Sequence, residues 1–131
     1  KPWMFKRLRL GAIKMENQIQ KLIEAIKADY AKSARKWKVK DEEQAKWRDQ
    51  REQVFNEGLG YKVGKKYIKI TEQGGGSVWG FVVNVENDPK FKKGDILKAA
   101  GWATPARNQA RGNVIEGNFD WVQWTGPAYL N

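Results

Sequence analysis

Residues 41–70 read DEEQAKWRDQREQVFNEGLGYKVGKKYIKI, and the period of the apolar positions changes inside them. Asp41, with Gln44 three residues on, has the spacing of a capping box, and Glu42 and Glu43 suit the positive end of a helix dipole. A helix is therefore expected from Asp41 to about Glu57. Its apolar face, Trp47, Val54 and Phe55 with Ala45 nearby, is thin, which predicts packing on one neighbour only, and Gly58 and Gly60 stop it. Beyond them Lys66, Ile68 and Ile70 alternate with Tyr67 and Lys69, the two-residue period of a strand. A helical first part followed by a β second part is the α+β class.

Towards the N-terminus, Met15, Ile19, Leu22, Ile23, Ile26 and Tyr30 form one stripe of a 3.6-residue period. That stripe is expected to bury against the β part or a second helix, because a lone amphipathic helix is marginal in water. Between the two helices, residues 34–40, ARKWKVK, make a basic joint in which Arg35, Lys36, Lys38 and Lys40 surround Trp37 and Val39. An N-terminal antiparallel helical hairpin around this joint is the expected arrangement, with one bent rod as its alternative. Residues 1–14, KPWMFKRLRLGAIK, carry Lys1, Lys6, Arg7, Arg9 and Lys14 and no acid. They read as a basic arm on nucleic acid, as an amphipathic segment on an anionic membrane or in a partner's groove, or as an extension packed on its own domain. The expected organisation is thus an arm or extension over 1–14, a two-helix segment over 15–58 and a small β domain over 59–131.

Towards the C-terminus, residues 61–71 and 77–85 (SVWGFVVNV) are expected strands, joined through Gln73 and Gly74-Gly75-Gly76 as a hairpin. Gly80, between Trp79 and Phe81, marks a bulge or sharp bend. Asn87-Asp88-Pro89 and Gly94-Asp95 are turns, Ile96-Leu97 open a strand that Pro105 keeps from simple continuation, and residues 118–124 (NFDWVQW) form another, broken by Thr125-Gly126-Pro127. Four or five short strands with frequent Gly and Pro predict a small antiparallel β-barrel or curled sheet. Within residues 91–117, Arg107, Asn108, Arg111 and Asn113 crowd polar groups into one connection near Trp102. Two readings stand side by side: these groups close the loop by bonding its own amides and carbonyls, or they grip a ligand.

The chain has 131 residues, no Cys and no His, which excludes disulfides, Cys/His zinc sites, and Cys or Ser-His catalysis. With 31% charged residues and a mean hydropathy of −0.77 the core must be small for the length. No apolar run approaches the ~20 residues of a membrane span, and the N-terminus lacks the apolar region of a secretory signal. The net charge of +10 is spread over both halves and fits a polyanionic partner. Gly74-Gly75-Gly76-Ser77 is not followed by the Lys-Ser/Thr of a phosphate-binding loop. Asp95, Glu116 and Asp120 each stand at a turn or strand end, where acids have structural work, so no catalysis, metal or cofactor is expected. Trp79, Phe81, Trp102, Trp121 and Trp124 exceed what a small β core hides, and the exposed ones are expected beside Lys or Arg.

Through FKKGDILKAAGWATPARNQARGNV (residues 91–114), with KKYIKI, SVWGFVV and the closing WTGPAYL, the chain resembles small uncharacterised proteins encoded by tailed bacteriophages, over about residues 59–131. The resemblance implies no activity, cofactor or catalytic residue; it implies a phage accessory protein in a bacterial host cytoplasm or a virion. The resulting expectation is a non-enzymatic basic module that binds nucleic acid through Lys6, Arg7, Arg9, Arg35, Lys36, Trp37, Lys38 and Lys40. Its alternative is an accessory protein whose partner is a host or virion protein.

Overall fold

The computed structural model describes residues 2–129, with side chains for residues 15–129. Two helices, α1 (Pro2–Ala34) and α2 (Glu42–Gly58), precede six short strands: β1 (Gly60–Val63), β2 (Tyr67–Glu72), β3 (Ser77–Val83), β4 (Ile96–Lys98), β5 (Val122–Gln123) and β6 (Gly126–Pro127). The first four form an antiparallel sheet in the order β1-β2-β3-β4, and β5 and β6 form a two-stranded ribbon. The chain is α+β, with the helices first. Among the described residues the sheet does not close into a barrel: β1 is an edge, and beyond β4 the chain supplies only loop backbone, through Arg111 N to Ile96 O and Ile96 N to Gly112 O.

Two strand expectations need correction. Residues 61–71 are not one strand but a hairpin, in which Gly64 N bonds Tyr67 O and Val63 pairs with Ile68, so the Gly64-Lys65-Lys66 turn interrupts the run. Residues 118–124 contribute only Val122–Gln123 as a strand, and Gly126-Pro127, expected to break the strand, instead pairs back on it. Gly80 does sit at a bulge: Ile70 pairs with Gly80 but Thr71 with Val78, which leaves Trp79 as the extra residue. Strict alternation would put Trp79 and Val82 on opposite faces; the bulge brings both into the core beneath α1. A Cβ on Gly80 would lie 2.9 Å from Leu97 O and 3.1 Å from Pro127 Cγ, so the small residue permits β3, β4 and β6 to meet there.

The stripe on α1 is buried throughout, from Met15 to Tyr30. Met15, Ile19, Leu22, Ile23 and Ile26 share one cluster with Ile68, Ile70, Trp79, Val82, Ile96, Val114 and Val122. The segment division near residue 59 follows the change of secondary structure, but the core runs across it. On the other sheet face Phe81, Val83 and Leu97 pack with Phe91, so the long connection after β3 supplies a second apolar layer. By contrast α2 buries no residue and meets α1 where Tyr30 stacks on Phe55, ring centroids 4.2 Å apart. No helix among the described residues is long and apolar enough to cross a membrane.

Candidate functional site

The polar groups of the connection between β4 and β5 turn inward. Arg107 Nη2 pairs with Asp88 Oδ1 at 2.8 Å, and its Nη1 donates to the Tyr67 hydroxyl at 2.6 Å. The Asp88 side chain has no exposed surface, and its Oδ1 also accepts from the amides of Lys90 (2.8 Å) and Phe91 (2.9 Å). The Arg107 bond, then these amides, hold the Asp88 carboxyl well below the usual carboxylate range, and Asp88 raises Arg107 in return. Asn113 Nδ2 donates to Lys93 O and Asp95 Oδ1, while its Oδ1 accepts from the amides of Ile115 and Glu116. Arg111, 3% exposed, donates from Nε to Ala128 O and from Nη1 to Asn108 Oδ1 and Gln109 O. Burial lowers the pKa of Arg111. Four of the five ligand-binding candidates, Arg107, Asn108, Arg111 and Asn113, are thus engaged within the fold: Arg107 with Asp88 and Tyr67, Asn108 with Arg111, and Asn113 with Asp95 and the turn after it. Trp102 stands outside it, 56% exposed, with Lys69 Nζ 3.8 Å from its ring centroid.

The helix joint is the opposite case. The last turn of α1 tightens, with Lys36 N bonded to Ser33 O and Trp37 N to Ala34 O, and the chain then leaves towards the capping residues of α2. Gln44 N donates to Asp41 Oδ1 at 2.9 Å, and Gln44 Oε1 accepts from Lys40 N at 2.9 Å. The capping box therefore forms, its return bond reaching one residue before the cap. Arg35, Lys36, Lys38 and Lys40 are exposed around a half-buried Trp37, and none of the four makes an ion pair among the described residues. Lys6, Arg7 and Arg9 lie outside the residues whose side chains are described.

Two open hollows adjoin this joint and share Trp37 and Trp47. One, of about 570 Å³, lies between the joint and the first turns of α2, where Lys38, Asp41, Glu43 and Arg48 leave it electrically balanced. The other, of about 1110 Å³, runs between α2 and the end of β2. It holds Tyr30, Phe55 and Trp124, with Trp124 edge-on to both other rings at 5.0 and 5.8 Å. Trp47 and Val54 also line it and are 55% and 69% exposed. Trp124 is fixed there by its amide, which donates to Asp29 Oδ2 at 2.9 Å. Arg51 lies over the Trp47 ring at 5.2 Å. Glu57 and Glu72 also line this hollow, and burial pushes the Glu72 carboxyl up.

Sequence reasoning found the cations and Trp37 but not this hollow. Trp47 and Phe55 carried a signal as the apolar face of α2, but Glu72 and Trp124 reach the site only through the sheet and the C-terminal ribbon. Of the rings expected to be exposed beside Lys or Arg, Trp102 is so placed, its Lys69 coming from across the fold, whereas Trp121 is 38% exposed between Asp120 and Val122. Among the described residues no group of three His, Cys, Asp or Glu is placed to hold a metal ion.

One family model matches the chain over residues 9–130, and its description is a family of unknown function, DUF7717. No curated protein matches, and no solved structure does.

Proposed function

The chain belongs to the DUF7717 family, of unknown function, and we propose that it is a non-enzymatic module that binds nucleic acid through the joint between α1 and α2. One observation carries the reading: Arg35, Lys36, Lys38 and Lys40 are exposed and unpaired among the described residues around a ring, on a chain of net charge +10. Four such cations contact phosphates without reading sequence, and Trp37 offers a face on which a base stacks. The candidate catalytic carboxylates support the non-enzymatic half. Asp95 is bonded to Asn113 Nδ2 and Lys92 N, and Glu116 is paired with Lys92, so both have structural partners. An accessory role in an infected bacterial cytoplasm or a virion is part of the same proposal and rests on the resemblance read in residues 59–131.

The test is a titration against random single- and double-stranded DNA and RNA at several salt concentrations. Affinity should fall steeply with salt, by a slope of about 0.7–0.9 per phosphate contact. An affinity that ignores salt, or none at low ionic strength, overturns the reading and leaves a protein partner in its place.

A further inference from the structure

The hollow between α2 and the end of β2 differs in charge from the joint beside it. The carboxylate of Glu72, at the end of β2, is partly buried and makes no ion pair among the described residues. Glu57, on α2, accepts only from Gln53 Nε2 at 2.9 Å. Both carboxylates line a hollow that Phe55, Trp124 and one cation, Arg51, also line, and aromatic ring faces attract cations. Arg51 already shows the mode of contact, with its guanidinium over Trp47. That guanidinium serves Trp47, and Glu57 and Glu72 have no cation of their own among the described residues.

We propose that this hollow captures an arginine- or lysine-bearing segment of a partner protein, its aliphatic stem on Phe55, Val54 and Trp124 and its charged head between Glu57 and Glu72. Charge complementarity selects the occupant. A partly desolvated carboxylate without a partner gains most from a cation, whereas a phosphate brought there meets two like charges against the single cation, Arg51, which lies over Trp47. The aromatic floor suits the long stem of such a side chain. The module then has two faces that meet at Trp37 and Trp47, a basic one for anions and an acidic, aromatic one for cations. The inference stands apart from the nucleic-acid reading, because it uses none of the four joint cations.

The whole protein is strongly positive, so general attraction works against a cationic peptide and any affinity must arise locally. The experiment uses the full chain and a capped pentapeptide, Leu-Gly-Arg-Gly-Leu, against the same peptide with citrulline, its neutral isostere, in place of Arg. Tryptophan fluorescence reports binding, and chemical-shift changes of the indole N–H groups locate it. The Arg peptide should bind at least about tenfold more tightly than the citrulline peptide, a difference of about 1.4 kcal/mol. The Glu57→Gln/Glu72→Gln variant should lose that preference while its melting temperature is unchanged or raised. Equal affinity for the two peptides, no binding up to about 1 mM, or a preference that survives the double substitution overturns the proposal. So does an oligonucleotide that binds more tightly to the double variant and shifts the Trp47 and Trp124 indole signals, for then the hollow belongs to the nucleic-acid surface.

Discussion

Residues 104–113 and 35–40 are both connections that carry clustered cations, joined by side-chain amides in the first, and the fold uses them in opposite ways. In the first, Arg107, Arg111 and Asn113 bond to the backbone and to Asp88 and Asp95, and two of these three side chains are buried. In the second, four cations face solvent. The difference comes from what each connection must cross. Residues 104–113 return along β4 and leave carbonyls and amides that no ladder satisfies, which side chains then bond. The joint spans only the gap between two helices whose ends cap themselves, so its side chains have no such task.

The most damaging change should be Asn113→Ala. It strands two amides and two acceptors in a part-buried site and empties a buried side-chain position, and roughly 2–4 kcal/mol of stability should be lost in denaturant titrations. Affinity per folded molecule for nucleic acid should not move; a loss of affinity at constant stability would make the loop a ligand site after all.

Arg107→Ala tests the pairing with Asp88 in the same connection through pH. The folded pKa of Asp88 is depressed, so its contribution to stability is present above the ordinary carboxylate range and is lost as pH falls through the depressed folded value. Melting temperatures of the wild type and the variant should therefore differ at neutral pH and converge in acid. A constant gap would show that the pairing with Asp88 is not what the arginine contributes.

Asp41→Ala removes the cap of α2 and should cost about 1 kcal/mol of helix stability. Because α2 buries no residue, the loss should appear as faster amide exchange over residues 42–47 more than as a fall in global stability. The four-fold change Arg35→Gln, Lys36→Gln, Lys38→Gln and Lys40→Gln should alter stability by less than about 0.5 kcal/mol. It should nonetheless reduce the slope of log affinity against log salt by roughly three units. That pairing of a silent melt with a flattened salt response is the converse of Asn113→Ala, and it is the outcome that separates the two connections.

The smallest effect is expected at Glu72. Its folded pKa is raised by burial, so the native state holds a proton more tightly than the unfolded chain, and stability should decline as pH rises from the ordinary glutamate range through the raised value. Glu72→Gln should remove that decline and slightly raise the melting temperature at neutral pH. A variant less stable than wild type there would mean that the carboxylate has a cationic partner in the free protein.

The stripe from Met15 to Tyr30, the cap at Asp41, the stop near Gly58 and the bulge at Gly80 were legible in the sequence because each is a local rule. A helical period, a side chain three residues from its amide and a residue without Cβ act over a few positions. The exposed cations of the joint belong with them, since a basic run in a short connection between two helices stays at the surface. What lies far apart in sequence was decided by the tertiary structure. Asp88 meets Arg107, Lys69 meets Trp102, and Trp124 reaches Asp29 and the Tyr30 and Phe55 rings, each through the sheet or the loops laid on it. Burial and pairing depend on which surfaces meet. The spacing of residues along the chain left Arg107 between closing its own loop and gripping a ligand, and packing set it on Asp88 and Tyr67 while Lys36 stayed in water.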